Sequence, residues 1–344
     1  MALIVMADDG VAFDGRTPAE RPFGGAEAAF LALAEALASR GHRVMVRNNC
    51  PAPMTLNGVD WTPIAAGIPD VCDLYIANRG HRLIGLARKA CGRAFWLHNP
   101  GEYILKPRYL WPLFVHRPVL VFSGEFHAGT VPAWVPSGGR AIVPYGLDAV
   151  YRTAGPRTDT PPPVAIFTSN PLRGLDWLLD LWERRIRPAI PAAELHVYAG
   201  PQVYGAVGDR KAAEMATALA RAEALAPLGV RRHEPVPKSQ LIPPLRAARA
   251  MLYRGDIGES FCLAVAEAQA LGLPTVVTKL GSLPERVVDG VTGTVAGDDD
   301  EFCAAAVAIL TDDALWRRQH AAAVGLQKGI GWDEAAARFE ALIP

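Results

Sequence analysis

The chain has 344 residues, 50% hydrophobic and 20% charged, a composition that suits a folded globular protein with room for two ordinary domains. Its 35 basic and 35 acidic side chains cancel, so no global field recruits nucleic acid or an anionic membrane. The cysteines (Cys50, Cys72, Cys91, Cys262 and Cys303) are scattered without a CxxC pair, which argues against a disulfide framework or a zinc site and for a reducing compartment.

The opening "MALIVMADDG" has a strand-length apolar run and no basic flank, so it reads as a first strand and not as a secretion signal. No apolar stretch approaches membrane-spanning length, and the expectation is a cytoplasmic protein. Short apolar runs then alternate with helical patterns along the whole chain. The predicted strands of the first half are "ALIVMA", "HRVMVRN", "DLYIAN", "RAFWLH", "PVLVFS" and "RAIVPYG". The second half restarts with "PVAIFTS" and continues through "ELHVYAG", "VRRHEPV", "RAMLYRG", "PTVVT" and "TGTVAG". Between them lies "DAVYRTAGPRTDTPPPV", rich in Pro, Thr and Gly, which sets a boundary between domains at 1–150 and 151–330. The expected fold class is α/β, with two Rossmann-like domains facing a central cleft.

Ligands in such sheets bind beyond the carboxyl ends of the strands, so residues that follow strands are the candidates. After the first strand, Gly24 and Gly25 lead into a helix predicted over Ala26–Arg40, where backbone N–H groups can approach an anion. Neither GxGxxG nor a Walker A motif is present, which argues against a dinucleotide or P-loop enzyme. His98 closes the strand "RAFWLH" and suits either a structural hydrogen bond or a ligand contact. From Arg79 to Arg140 there are nine Lys or Arg against two acids, Glu102 and Glu125. Within that stretch, residues 101–118, "GEYILKPRYLWPLFVHRP", interleave aromatic and basic side chains and suit either a surface that meets anionic headgroups or, since Pro107 and Pro112 interrupt any long amphipathic helix, a segment whose apolar residues pack into the first domain while Lys106, Arg108 and Arg117 are solvated. Arg173 falls between a strand ending near Thr168 and a helix starting near Gly174, where its planar fork can grip a phosphate.

The stretch "GESFCLAVAEAQALGLPTVV" places Glu259 just before a helix predicted over Ser260–Gly272, and Glu267 inside it. Eight residues of helix cover about 12 Å and turn about 80°, so the two acids do not form a pair. Glycosidase carboxyls sit roughly 5–10 Å apart across one bond, which these do not match. They suit the two ends of an elongated ligand such as a nucleotide sugar. An acid at Glu267, on an otherwise apolar helix, also requires a polar group to meet it. The run "DDDE" at 298–301 directly precedes a helix and reads as capping, not as a metal site.

The stretch from Gly258 to Gly293 resembles the donor site of retaining GT-B glycosyltransferases of the family-4 type. Glu259 and Glu267 correspond to its E-x7-E pair and "GSLPE", Gly281–Glu285, to its Gly-Gly-x-Pro-Glu element. "GGAEAAFLALAEALASRGHRV", "WLHNP", "VFSGEFH" and "VPYGLD" are similar to further elements of that family. "GWDEAAARFEALI" resembles its closing helix, so 331–344 is expected to return toward the N-terminal, acceptor-side domain.

The resemblance implies roles residue by residue. Arg173 would bind the donor diphosphate. Glu259 would lie near the donor sugar and its reacting carbon, and Glu267 would hold the ribose. Backbone amides of Ser260, Phe261, Cys262 and Leu263 would contact sugar and phosphates. Gly24 and Gly25 would let the N-terminal loop close over the diphosphate, and His98 would face the sugar. Val236 and Pro237 would cradle the base. The sequence departs from the family pattern where "TSN" shortens the loop that often carries a second Arg, leaving Arg173 as the evident phosphate clamp. Cys262 and Ser282 each replace a frequent Gly.

The implied activity is retaining transfer from a UDP- or GDP-linked sugar to a glycan, glycolipid or small-molecule acceptor, in cell-envelope or exopolysaccharide synthesis, without a metal or other cofactor. A second reading is a non-catalytic nucleotide-sugar-binding relative. A third, the UDP-GlcNAc 2-epimerase-like enzymes, shares the fold but not the E-x7-E signature. The expected partners are the donor and a glycan or lipid-linked acceptor, with peripheral contact at the inner face of the membrane through 101–118 and no nucleic acid.

Overall fold

The computed structural model describes residues 1–201 and 211–344, which divide into two compact units. The first comprises Met1–Glu20, Gly24–Gly146 and Ile330–Pro344. Its sheet has the order β3-β4-β2-β1-β5-β6-β7-β8. These strands are β1 (Leu3–Asp8), β2 (Arg43–Asn48), β3 (Met54–Leu56), β4 (Val59–Pro63), β5 (Val71–Asn78), β6 (Lys89–Trp96), β7 (Val119–Phe122) and β8 (Gly139–Ile142). Neighbours are parallel except β3 against β4. The central strands are apolar at successive residues because both faces are covered: Ile4, Val5, Met6 and Ala7 are all buried. The helix Gly25–Ser39 buries Ala29, Phe30, Leu33, Ala34 and Leu37, one stripe at helical spacing. The helix Trp332–Glu340 packs against it, with Phe339 edge-on to Trp96 at 5.0 Å and Arg40 paired to Asp333 (2.9 Å) and Glu340 (2.6 Å). Gly146 has no room for a side chain there, since a Cβ would lie 2.6 Å from Trp332.

Two strands of this unit, β3 and β4, were not expected from the sequence. They form a hairpin in register Leu56↔Val59, leaving Asn57 and Gly58 as a two-residue turn with φ of 51° and 77°. Asn-Gly is the residue pair that a turn with two positive φ angles demands, so the signal was present in "MTLNGVDWTP".

The second unit comprises Arg21–Phe23 and Leu147–Gly329. Its six strands are β9 (Val164–Phe167), β10 (Glu194–Tyr198), β11 (Val230–His233), β12 (Ala250–Tyr253), β13 (Thr275–Thr278) and β14 (Gly293–Ala296). All pair in parallel, in the order β11-β10-β9-β12-β13-β14. In chain order this is the doubly wound 3-2-1-4-5-6 arrangement, whose strand order reverses between β9 and β12. Asp298 caps the helix Asp299–Thr311 by accepting from the Glu301 N–H at 2.9 Å, the role expected for the acidic run. Among the described residues, no helix is long and apolar enough to cross a membrane.

Candidate functional site

The second unit gathers its polar groups where the strand order reverses. The loop after β9 carries Ser169 and Arg173, with Gly174 at φ 89° opening the helix Leu175–Leu181. The loop after β12 carries Glu259 and leads to the helix Leu263–Ala270. Arg173 Nη1 lies 2.5 Å from Glu259 Oε1, so the residues assigned to phosphate and to sugar are themselves an ion pair. Tyr253, the last residue of β12, donates its hydroxyl to the same Glu259 oxygen and lies 3.0 Å from Ser169 Oγ. Burial works against the Arg173 charge, but Glu259 outweighs it and the guanidinium pKa is raised. Arg173 is thus a permanent cation whose remaining N–H donors are available to an anion. Tyr253 was missed from sequence, although a tyrosine closing a strand at the carboxyl edge is a visible signal.

The loop Gly281–Glu285 explains itself as a brace for Glu259. Ser282 N–H donates to the Glu259 carbonyl at 3.0 Å. Gly281 has φ 55°, and a Cβ there would sit 2.7 Å from that carbonyl. Ser282 is fully buried, so a small residue is needed. The helix following Glu259 is shorter than the predicted Ser260–Gly272. Cys262 holds φ 63°, ψ 75° and acts as the N-cap, so the helix begins only at Leu263. That left-handed conformation accounts for the glycine that the family pattern favours at this position. Ser260, Phe261 and Cys262 are buried and Leu263 is half-buried. Burial pushes the Cys262 thiol well above its usual range, which makes it inert. Arg286, unremarked in the sequence, lies over the Phe261 ring at 4.3 Å, and burial depresses its pKa.

Glu267 has a different cation. It is buried within the helix, and its Oε1 pairs with Nζ of Lys238, the first residue of the helix Lys238–Ala247. Val236 and Pro237 are half-buried immediately before it, Pro237 serving as N-cap. Burial raises the Glu267 pKa, Lys238 lowers it and Asp148 adds to the rise, with a net upward shift. Each acid of the E-x7-E spacing therefore has its own base: Arg173 for Glu259, Lys238 for Glu267.

The first unit holds a separate polar cluster where its strand order reverses between β1 and β5. Arg79 Nη2 lies 3.2 Å from Asp8 Oδ2 and 2.7 Å from Glu27 Oε1, Glu27 being in the first turn of the Gly25–Ser39 helix. Burial raises the Asp8 pKa, against the opposing pull of Arg79. Gly24 is the buried N-cap of that helix and Gly25 is exposed. His98 is buried with both ring nitrogens engaged, Nε2 at 2.5 Å from Asn78 Oδ1 and Nδ1 at 2.5 Å from Tyr145 Oη. Burial, helped by Arg79 and His127, holds its pKa well below the usual value, so the ring is neutral. A sugar contact at His98 would have to take one nitrogen from these partners. Asp8 and Arg79, at the ends of adjacent strands, were legible in position but not singled out.

Residues 162–312 match the family model described as glycosyl transferases group 1. The D-inositol 3-phosphate glycosyltransferase of Xylanimonas cellulosilytica is 40% identical over 128 residues, 35% of this chain and 30% of that protein. The chain thus matches less than one third of that relative's length. Among solved structures, sucrose-phosphate synthase from Thermosynechococcus elongatus superposes with a TM-score of 0.72 at 16% identity, covering 99% of this chain and 98% of that one. Anabaena HepE in complex with UDP and glucose superposes with a TM-score of 0.70 at 14% identity, covering 99% of both chains. The fold is GT-B. In a GT-B chain the six-stranded unit carries the matched family segment, and that segment contains Arg173, Lys238, Glu259 and Glu267.

Proposed function

We propose that this chain is a retaining glycosyltransferase of the family-4 type that moves a sugar from a UDP- or GDP-linked donor to a glycan, glycolipid or small-molecule acceptor. The observation that carries the reading is the placement of Arg173 and Glu259, paired at 2.5 Å, on the two loops that flank the strand-order reversal of the second unit. Support comes also from the family match over that unit and from the HepE likeness, a protein solved with UDP and glucose.

In this reading the donor diphosphate meets Arg173 and the amides that open the Leu263–Ala270 helix. Glu259, held by Arg173, Tyr253 and the Ser282 N–H, faces the sugar. Glu267 accepts from the ribose hydroxyls, and the backbone at Val236 and Pro237 borders the base. The bond from the anomeric carbon to the diphosphate oxygen breaks as the acceptor oxygen bonds to that carbon on the same face, and the acceptor proton passes to the departing phosphate. The protein contributes positioning and stabilisation of the leaving charge, with a fixed guanidinium in the place of a metal ion.

The test is incubation with a panel of UDP-, GDP-, ADP- and TDP-sugars, read as free nucleoside diphosphate and as a rise in melting temperature. One donor should release its nucleotide slowly and stabilise the fold, by about 2.7 kcal/mol at a hundredfold excess over Kd. Stabilisation without release in the presence of acceptors would leave the non-catalytic relative as the better reading. No stabilisation by any nucleotide would sink the donor site itself.

Of these acceptors, the surface of the first unit supports the lipid-linked class, reached at the cytoplasmic face of the membrane, in envelope or exopolysaccharide synthesis. The helix Pro107–His116 buries Tyr109 and Leu113 but leaves Trp111, Phe114 and Val115 at 70%, 59% and 52% exposure, beside exposed Lys106, Arg108 and Arg117. Apolar side chains of that size at the surface, ringed by cations, suit an anionic bilayer, each basic residue adding about 1 kcal/mol. Anionic vesicles should co-sediment more protein than neutral ones at low salt, and the excess should fall at high salt. Equal recovery on both lipids would make a soluble acceptor the better choice.

A further inference from the structure

We propose that Lys238 is a positioning residue for the nucleoside end of the donor, fixing the Glu267 carboxylate in the ionised state and the orientation in which it receives the ribose hydroxyls. The inference rests on the donor-site reading given above and deepens it.

The two residues come from different elements. Lys238 begins the helix that follows β11, and Glu267 lies within the helix that follows the β12 loop. Their side chains meet through Nζ and Oε1, the Glu267 side chain being 7% exposed and the Lys238 side chain 38% exposed. A carboxylate on a helix whose other buried residues are Val265, Ala266, Ala268, Ala270 and Gln269, the last engaged with Leu273, Thr275 and Thr292, has lost most of its water, and without a cation it would take up a proton. Among the described residues, the charged or titratable groups acting on it are Lys238 from one side and Asp148 and Tyr151 from the segment that opens the second unit. Lys238 is the sole cation among these; Asp148 pushes in the opposite direction. Lys238 occupies one oxygen and leaves the other as acceptor. It also directly follows Val236 and Pro237, so the helix that presents the ammonium is continuous with the loop expected beside the base.

The alternative role for the same contact is competition, with the ammonium occupying the oxygen that the ribose needs. The two differ in sign. The experiment is titration of the wild-type chain, Lys238→Met, Lys238→Arg, Glu267→Gln and the double variant Lys238→Met/Glu267→Gln with bare UDP and GDP by calorimetry, over about pH 5–8. Positioning predicts that Lys238→Met loses on the order of tenfold in affinity while Lys238→Arg loses much less, and that Lys238→Met adds little once Glu267 is already Gln. It also predicts a pH signature. Removing the lysine removes the influence that lowers the Glu267 pKa, so in Lys238→Met the carboxylate protonates at higher pH. Its affinity should then fall on acidification sooner than the wild type does. A lysine that served only to hold the fold together would shift melting temperature without moving that pH profile.

Tighter binding by Lys238→Met, or an unchanged affinity and pH profile in a folded Lys238→Met, overturns the proposal. Should Lys238→Met not fold, the double variant, with no buried charge left unpaired, and Lys238→Arg still give the comparison. Failure of the wild type to bind any nucleoside diphosphate would refute the donor site, whereas binding by wild type with no effect of Lys238 refutes this inference alone.

Discussion

Replacement of Arg173 by alanine is expected to lower kcat for donor turnover by about 100- to 1,000-fold, the cost of removing one preorganised donor from a developing negative charge. Arg173→Lys should retain more activity, because it keeps a charge while losing the planar fork. The expectation is specific about which constant moves. Arg173 is paired to Glu259 before any ligand arrives, so its position is already set and little ordering remains to be done at the moment of reaction. Its contribution should therefore appear mainly as the diphosphate charge develops, in kcat more than in KM. A second consequence separates catalysis from stability. Arg173→Ala leaves Glu259, 4% exposed, with Tyr253 as a neutral partner, so melting temperature should fall as well. Because the Arg173 side chain is 36% exposed, that loss should be smaller than the roughly 3–5 kcal/mol of breaking a fully buried pair. Arg173→Ala turning over donor at the wild-type rate would remove the residue from the mechanism.

How much of this was legible depended on the distance over which each signal acts. The central strands of the second unit, β9 and β12, each produce a short apolar run ending near a polar loop, because buried parallel strands need apolar residues on both faces, whereas the edge strand β11 is mostly polar. The hairpin β3–β4 was missed for the opposite reason: its strands have three and five residues, too short for periodicity, and the Asn57-Gly58 turn was the only strong mark. Periodicity also ran the Glu267 helix too far toward its N-terminus. The left-handed backbone at Cys262 is set by the tight loop from Glu259, and no residue-type preference announces it when glycine is absent. The need for a polar partner at Glu267 followed from the apolar residues around it. That the partner is Lys238 did not, because which side chain crosses 29 positions of chain is decided by the pairing of β10, β9 and β12. The same holds for Arg79, which meets Asp8 because β5 lies beside β1, 71 positions away in the chain.

Glu267→Ala should weaken bare nucleoside diphosphate and intact nucleotide sugar by the same factor, on the order of 10- to 100-fold for hydrogen bonds to a charged acceptor. Equal losses are the informative part. A group that touches only the ribose cannot distinguish a ligand with a sugar from one without, and its contact is the same before and during bond breaking. KM for donor should rise with kcat nearly unchanged, the reverse of the pattern expected for Arg173. Glu267→Gln tests the charge separately from the shape. The amide retains an acceptor oxygen for ribose but leaves the Lys238 ammonium without a counter-charge, in a helix start where burial already disfavours it. Binding should then survive better in Glu267→Gln than in Glu267→Ala, while both lose stability through the same uncompensated lysine. A folded Glu267→Ala that binds UDP and GDP as the wild type does would show that the acid serves only its lysine. The two carboxylates of "GESFCLAVAEAQA" would then divide between one acid at the chemistry and one in the framework.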